Sequence, residues 1–142
     1  MPASHAPSMR LTRLTTAIQI TADAARLCLS GFGAPQTIAT KADQSPVTET
    51  DKATEQAIRA GLQQHFPGEA VFGEEFGQTG AGEDLWIIDP IDGTRSFVTG
   101  LPLFGMLLGH VTQGKPDLGV IRMPALDEVY AGAPGLGATF NG

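Results

Sequence analysis

The sequence predicts an α+β fold in which N-terminal helices pack on an antiparallel sheet. Two helical patterns occupy the first half of the 142-residue chain. Short strand-like runs with brief turns between them occupy the second half. Brief turns join antiparallel strands, because parallel neighbours need a long crossover connection. Helices that precede a block of strands favour separate layers of the two element types.

The first predicted helix covers Leu11–Ser30 and follows a disordered leader. Residues 1–10 are small, polar and rich in proline, and they lack the apolar core of a secretory signal. From residue 11 onward, apolar side chains recur at helical spacing, so the folded part is predicted to cover 11–142. The predicted buried stripe consists of Leu11, Leu14, Ile18, Ala22, Ala25 and Leu29.

The second predicted helix begins near Thr48 and runs to about Phe66. Thr48, with Asp51 three residues later, resembles a capping box. The Pro67-Gly68 pair that follows is typical of a helix end. A short strand at Thr37–Lys41 is predicted to precede this helix.

The predicted sheet starts with two short apolar runs that each end in carboxylates. Val71-Phe72-Gly73 leads into Glu74-Glu75, and Leu85–Ile88 leads into Asp89. Pro90 is predicted to end the second strand. Three more strands are predicted, at Leu103–Val111, Leu118–Ile121 and Glu128–Ala131. The final Asn-Gly pair is a hairpin signal that a returning strand normally follows, so we expect an N-terminal fragment of a longer protein.

The composition and net charge of the chain limit the kinds of molecule that it is expected to bind. A hydrophobic content of 42% in 142 residues is enough for one core. The net charge of −6 argues against binding to nucleic acid or to anionic membranes, and no run approaches the ~20 apolar residues of a membrane span. The single Cys28 cannot form an intrachain disulfide, which favours a cytoplasmic location. The three histidines show no spacing typical of metal ligands.

The acidic strand ends predict a site for a hard divalent cation. Magnesium prefers oxygen ligands, commonly one or two carboxylates with waters and a substrate phosphate. Asp89, Asp92 and the carbonyl of Ile91 could supply such ligands, and Glu74-Glu75 could add to them from the neighbouring strand. The alternative is that Asp-Pro and Asp-Gly are ordinary turn dipeptides and that Glu74-Glu75 is a solvated loop.

Three motifs resemble those of the magnesium-dependent inositol monophosphatase superfamily. Asp-Pro-Ile-Asp-Gly-Thr at residues 89–94 matches the hallmark of that superfamily, and Gly-Glu-Glu at 73–75 matches a second element. The third is Lys41 followed by Asp-Gln-Ser-Pro-Val-Thr at 43–48 and by Asp51. The resemblance implies the first half of a layered α/β/α/β/α sugar-phosphatase fold, two or three Mg²⁺ ions in the complete enzyme, and a homodimeric parent.

The resemblance also implies a role for each residue of the site. Glu74, Asp89 and the carbonyl of Ile91 would bind one magnesium, and Asp89 with Asp92 would share in a second. Thr94, hydrogen-bonded to Asp51, would orient the attacking water, and Glu74 could accept its proton.

Four residues are candidates for contacting the phosphate. Backbone N–H groups of Gly93 and Thr94 would bind its oxygens, and Arg95 could add positive charge. Lys41 could offset the acidic cluster or meet the phosphate. Simpler alternatives stay open, because Asp51 with Thr48 could only cap a helix, and Lys41 and Arg95 could be exposed surface residues.

The residues after the hallmark narrow the expected substrate. Arg95-Ser96-Phe97 is more similar to the histidinol-phosphatase branch than to the inositol branch, so the expected substrate is a small phosphorylated metabolite of histidine biosynthesis. The alternatives are an inositol-1-monophosphatase or a nucleotide bisphosphatase. A later superfamily motif, whose Asp completes the metal site, has no match here. An inactive remnant or association module therefore remains an alternative of another class.

Overall fold

The structure, a computed structural model, describes residues 5–142. Within these residues, the fold consists of three α-helices, nine strands and one short 3-10 helix. The helices are α1 (Pro7–Gly31), α2 (Glu49–His65) and α3 (Thr94–Val98). The strands are β1 (Ile38–Thr40), β2 (Pro46–Thr48), β3 (Ala70–Gly73), β4 (Gly77–Thr79), β5 (Asp84–Asp92), β6 (Gly105–Thr112), β7 (Lys115–Met123), β8 (Glu128–Ala133) and β9 (Gly137–Phe140).

The predicted α+β class is confirmed, but the main sheet is mixed rather than wholly antiparallel. Seven strands lie in the order β4-β3-β5-β6-β7-β8-β9, and β1 pairs with β2 separately. All neighbours in the main sheet are antiparallel except β3 and β5, which run parallel. The hairpin strand β4 returns the chain along the outer edge of β3, so β5 can start at the same end of the sheet as β3. The carboxyl ends of β3 and β5 consequently meet at one edge.

Helix α1 begins at Pro7, so the prediction of a disordered leader is wrong for 7–10. Residues 1–4 of that leader lie outside the described residues. Proline is favoured at the start of a helix, where its missing N–H costs no hydrogen bond. Arg10, at the end of the first turn, is buried and donates to Asp117 at 2.8 Å. This ion pair fixes the first turn of the helix on the sheet.

The buried face of α1 also differs from the predicted apolar stripe. Leu11 and Leu29 are 54% and 40% exposed, whereas Arg10 and Arg13 are buried. Both arginines pair with carboxylates under the helix, which rotates the buried face away from the predicted stripe. The apolar core between the helices and the sheet is centred on Ala17, Ile20, Cys28, Ile58, Leu62, Trp86, Ile88, Phe104, Met106 and Leu108.

Strand β5 continues through Pro90 to Asp92, so the prediction that Pro90 ends it is wrong. The pairing with β6 is irregular between Asp89 and Asp92. A proline is tolerated at such an irregularity, because the missing N–H falls where the ladder is already interrupted. The bend carries Asp89 and Asp92 to the sheet edge. Strands β2, β4 and β9 and helix α3 were not predicted.

The sheet face opposite the helices is partly apolar and exposed. Phe72 pairs with Ile87, and Ile121 pairs with Tyr130, which in turn pairs with Phe140. All five side chains are exposed. Within residues 5–142, the structure has no helix long and apolar enough to cross a membrane.

A candidate metal and phosphate site at the edge of the sheet

The predicted site residues meet in a cleft of about 220 Å³ at the carboxyl ends of β3 and β5. The parallel register pairs Gly73 with Ile88, and the amide of Glu74 donates to the Ile88 carbonyl at 3.1 Å. Glu74 and Asp89 each follow one of these paired residues, so they lie at the same level of the sheet, next to each other. The cleft is lined by Ser45, Pro46, Glu74, Asp89, Ile91, Asp92, Gly93, Thr94 and Arg95.

Asp89 has an unpartnered buried oxygen and a strongly raised pKa. Its Oδ1 atom is buried and has no hydrogen-bond partner among the described residues. Burial, followed by the neighbouring Glu74 carboxyl and the charge of Asp92, raises the pKa of Asp89 to about 8. Three neighbouring carboxyl groups, one of which has a buried oxygen without a hydrogen-bond partner, are a poor arrangement for the protein alone. They fit a divalent cation, which would supply the missing positive charge.

The raised pKa of Asp89 gives a pH prediction for the metal-free protein. The folded state holds a proton on Asp89 up to about pH 8, whereas the unfolded chain releases it near the ordinary value of 3.8. The folded state thus binds more protons between these limits, and its stability is expected to fall as pH rises through this window. Thermal melting in EDTA across this range measures the slope. The slope should be smaller in Asp89→Asn, and a wild type with no more pH dependence than this variant would contradict the prediction.

Thr94 and Asp51 form a hydrogen-bonded pair at the back of the cleft. Thr94 Oγ1 lies 2.9 Å from Asp51 Oδ1 and 3.2 Å from the Ile91 carbonyl. Asp51 is fully buried, and its Oδ2 atom accepts from the backbone N–H of Thr48 at 2.8 Å. Thr48 and Asp51 form the capping box of α2. The Asp51 carboxylate thus both caps α2 and contacts Thr94, because its two oxygens face different partners.

Lys41 lies inside the acidic cluster rather than on the open surface. Its Nζ atom is 2.8 Å from Glu75 Oε1 and 3.1 Å from Glu74 Oε1. Burial lowers the pKa of Lys41, but hydrogen bonds to Glu75 and Glu74 outweigh it and raise the pKa above its ordinary value. Lys41 therefore offsets acidic charge at neutral pH. Arg95 is exposed and lines the mouth of the cleft.

The turn from β5 into α3 brings the remaining predicted residues to the cleft. Gly93 has φ of 91°, a left-handed conformation that favours glycine. A Cβ atom at this position would also lie 3.1 Å from the carbonyl oxygen of Leu103. The Ile91 side chain is buried in the core while Asp92 is exposed at the edge. The backbone thus turns sharply enough for α3 to begin at Thr94.

Glu55 is a positioning residue that sequence reasoning missed. It is fully buried, and its carboxylate accepts from the amides of Glu75 at 2.7 Å and Phe76 at 3.3 Å. Arg59 Nε donates to the same carboxylate at 2.8 Å. Glu55 thereby holds the turn that presents Glu74. A signal was available, because Glu55 follows Asp51 by four residues and so lies on the same face of α2.

Comparisons with known proteins agree with this geometry. Residues 10–142 match the model of the inositol monophosphatase family. The chain is 44% identical over 131 residues to a histidinol-phosphatase of Chlorobaculum parvum, covering 91% of this chain and 51% of that protein. It is 46% identical over 96 residues to a fructose-1,6-bisphosphatase/inositol-1-monophosphatase of Thermotoga maritima, covering 68% of this chain and 37% of that protein.

Solved structures show the same relationship. The fold superposes on an IMPase of Thermotoga maritima with a TM-score of 0.88 and 38% identity. The match covers 92% of this chain and 52% of the other. The chain thus spans about half or less of the length of these relatives. On the matches in sequence and fold, it belongs to the inositol monophosphatase family.

Proposed function

We propose that this chain is the metal-binding part of a magnesium-dependent phosphomonoester hydrolase. The observation that carries the proposal is the buried Oδ1 atom of Asp89, which has no hydrogen-bond partner in the described chain and lies among acidic groups. A purely structural turn would pair or expose such an oxygen. The relatives' names, which are all those of phosphatases, support the same chemistry.

The oxygen ligands come from two strand ends. Glu74, Asp89 and the Ile91 carbonyl would hold one Mg²⁺, and Asp89 with Asp92 would take part in holding a second. When bound, Mg²⁺ would polarise the phosphate and make a water easier to deprotonate. The all-oxygen set suits a hard cation rather than a thiophilic one.

The protein's own groups would orient and deprotonate the attacking water. Thr94 Oγ1 donates its proton to Asp51 at 2.9 Å, which leaves its lone pairs free to accept a hydrogen bond from that water. Because Asp51 is fully buried and fixed by the capping box, the threonine hydroxyl has a defined direction. Glu74 is exposed beside Asp89 and would accept the proton.

The phosphate would be held at the first turn of α3. N–H groups in the first turn of a helix have no partner within the helix, so those of Gly93 and Thr94 can donate to phosphate oxygens. Arg95 at the mouth of the cleft would add positive charge. Lys41 pairs with Glu74 and Glu75, and its proposed role is to balance charge rather than to bind phosphate.

Histidinol phosphate is the proposed substrate. Arg95-Ser96-Phe97 and the 44% identity to a histidinol-phosphatase support it. Other relatives carry inositol-1-monophosphatase and fructose-1,6-bisphosphatase names, so those phosphate esters are the competing substrates. The proposal includes a cytoplasmic homodimer that acts on a small metabolite and not on nucleic acid or membranes.

A second candidate function, a module that acts by association, is favoured by the exposed apolar sheet face. Phe72, Ile87 and Ile121 are all exposed there, and large exposed apolar patches commonly mark interaction surfaces. Such a face suits packing against another polypeptide.

A phosphate-release assay tests both candidates. The 142-residue chain is assayed with histidinol phosphate, inositol 1-phosphate and fructose 1,6-bisphosphate, in Mg²⁺ and in EDTA, alone and co-expressed with a polypeptide that matches the rest of the relatives' length. Mg²⁺-dependent release, fastest with histidinol phosphate, is expected. Activity only in the co-expressed form also supports the hydrolase proposal, whereas a non-catalytic association module predicts release in neither form. The absence of release in every arm would overturn the hydrolase proposal.

A further inference from the structure

A buried histidine cluster lies at the opposite end of β5 from the cleft. It consists of His5, Asp84, His110 and Asp117. Asp84 begins β5 and Asp89 lies five residues further on, which corresponds to roughly 16 Å along an extended strand. Potential ligand atoms of His5, His110 and Asp117 lie within 4.8 Å of one another. The proposed phosphatase chemistry uses none of these residues.

Asp117 fixes the tautomer of both imidazole rings. Its Oδ2 atom lies 3.1 Å from Nδ1 of His5 and 3.1 Å from Nδ1 of His110. Arg10 Nε donates to the other oxygen of this carboxylate, Oδ1, at 2.8 Å. A carboxylate paired with a guanidinium accepts hydrogen bonds, so both Nδ1 atoms donate to Asp117. An imidazole that donates from Nδ1 and binds a metal does so through the lone pair on Nε2.

The Nε2 atom of His110 lies 3.6 Å from Glu69 Oε2 and 3.6 Å from Asp84 Oδ1 without a hydrogen bond to either. His110 is fully buried, and this atom has no hydrogen-bond partner among the described residues. The Oδ1 atom of Asp84 is also buried and without a partner among them. His5 Nε2 lies 3.8 Å from the same oxygen. His5 Nε2, His110 Nε2 and Asp84 Oδ1 thus face a common space without a hydrogen bond between them.

These separations suit a shared metal ion better than a hydrogen bond. Hydrogen bonds of this kind rarely exceed about 3.2 Å. Ligands at about 2.0–2.1 Å from a tetrahedral Zn²⁺ lie roughly 3.3 Å apart, a few tenths of an ångström below the observed distances. Histidines that bind metals typically donate their other ring N–H to a carboxylate, as both rings do here toward Asp117.

We propose that His5 Nε2, His110 Nε2 and Asp84 Oδ1 form a site for a borderline transition-metal ion such as Zn²⁺, with Asp117 orienting both rings. Imidazole nitrogen favours Zn²⁺, Ni²⁺ or Cu²⁺ over Mg²⁺, so the site differs from the cleft in its choice of metal. Glu69 is not a ligand, because it pairs with Arg13 and accepts from Trp86 Nε1 at 2.8 Å. The Asp84 side chain is 34% exposed and gives the ion access to solvent.

The surroundings hold the His110 ring in place for this role. Its centroid lies 4.6 Å from that of Trp86, and burial, with the charge of Arg13 next, lowers the pKa of His110. The ring is thus neutral at neutral pH. Bound metal would link the segment before α1 to β5 and β6, so its effect is on stability rather than on the hydrolytic reaction.

Zinc titration of the 142-residue chain tests the site. Binding is measured by calorimetry and by thermal shift in excess Mg²⁺, which occupies the cleft. Variants Asp84→Asn, at a partly exposed position, and His5→Ala, at the end of the described chain, each remove one ligand. His65→Ala removes an exposed histidine and serves as the matched control. Melting of each variant in EDTA checks that it folds.

The expected result is one Zn²⁺ per chain that raises the melting temperature. Affinity should fall at least about tenfold in Asp84→Asn and in His5→Ala and remain unchanged in His65→Ala. Wild-type affinity in either ligand variant, or no zinc-induced shift in the wild type, would overturn the proposal. Phosphate release is not part of this readout, so the site can fail or stand independently of the proposed phosphatase activity.

Discussion

Asp89→Asn is expected to abolish the response of the protein to Mg²⁺ while making the metal-free fold more stable at pH 8. The variant keeps the size of the side chain but removes the charge that would bind the cation. Mg²⁺ affinity should fall by more than the roughly 10- to 100-fold that loss of an outer-shell partner costs. Without metal, the same change removes a buried negative charge close to Glu74 and Asp92, so repulsion among the carboxylates decreases.

The variant is expected to bind Mg²⁺ more weakly and yet to be more stable without metal. This combination distinguishes a metal ligand from a residue with only a structural role. Calorimetry measures Mg²⁺ affinity, and thermal melting at pH 8 in EDTA and in Mg²⁺ measures stability. Asp23→Asn is the control, because Asp23 is exposed on α1 and pairs only with neighbours on the same helix. Equal Mg²⁺ affinity in wild type and Asp89→Asn, or a lower melting temperature of the variant in EDTA, would contradict the ligand assignment.

Local sequence was enough to predict the cleft. The apolar runs before Glu74 and Asp89 predicted strands, and short-range chemistry predicted an acidic site at their ends. The capping box of Thr48 and Asp51 was likewise readable, because its two residues are only three apart. Local sequence did not predict how these segments lie relative to one another. The parallel pairing of β3 with β5 depends on β4, a three-residue strand rich in polar residues that has no periodic pattern.

Long-range ion pairs account for most of the differences between prediction and structure. Arg10 pairs with Asp117 across 107 residues, and Arg13 pairs with Glu69 across 56. Hydrophobic periodicity assigns charged residues to the solvent face, so it misplaced the buried face of α1 and the start of that helix. The histidine cluster was missed for the same reason. His110 and Asp117 lie on paired strands, and His5 reaches them only through the docking of α1.

Gly73→Ala is expected to destabilise the fold and to release the turn that carries Glu74. A Cβ atom at residue 73 would lie 1.9 Å from Glu55 Oε1 and 2.4 Å from its Cδ, so the buried carboxylate would have to move. That carboxylate accepts from the amides of Glu75 and Phe76. Overpacking of this kind costs about 1–3 kcal/mol, and loss of the anchoring hydrogen bonds adds to it. Mg²⁺ affinity should fall as well, because Glu74 loses its fixed position.

Urea unfolding with a double-mutant cycle gives a specific test of this clash. In a Glu55→Ala background the obstructing carboxylate is absent, so adding Gly73→Ala should cost much less than it does in the wild type. Gly119→Ala is the matched control, because a Cβ atom there meets nothing within 4 Å. Additive costs in the cycle would show that the alanine acts through the backbone alone. A large coupling energy between residues 55 and 73 would instead show that Glu55 needs the space left by the absence of a side chain at Gly73. Glu55 uses that space to anchor the turn that carries Glu74.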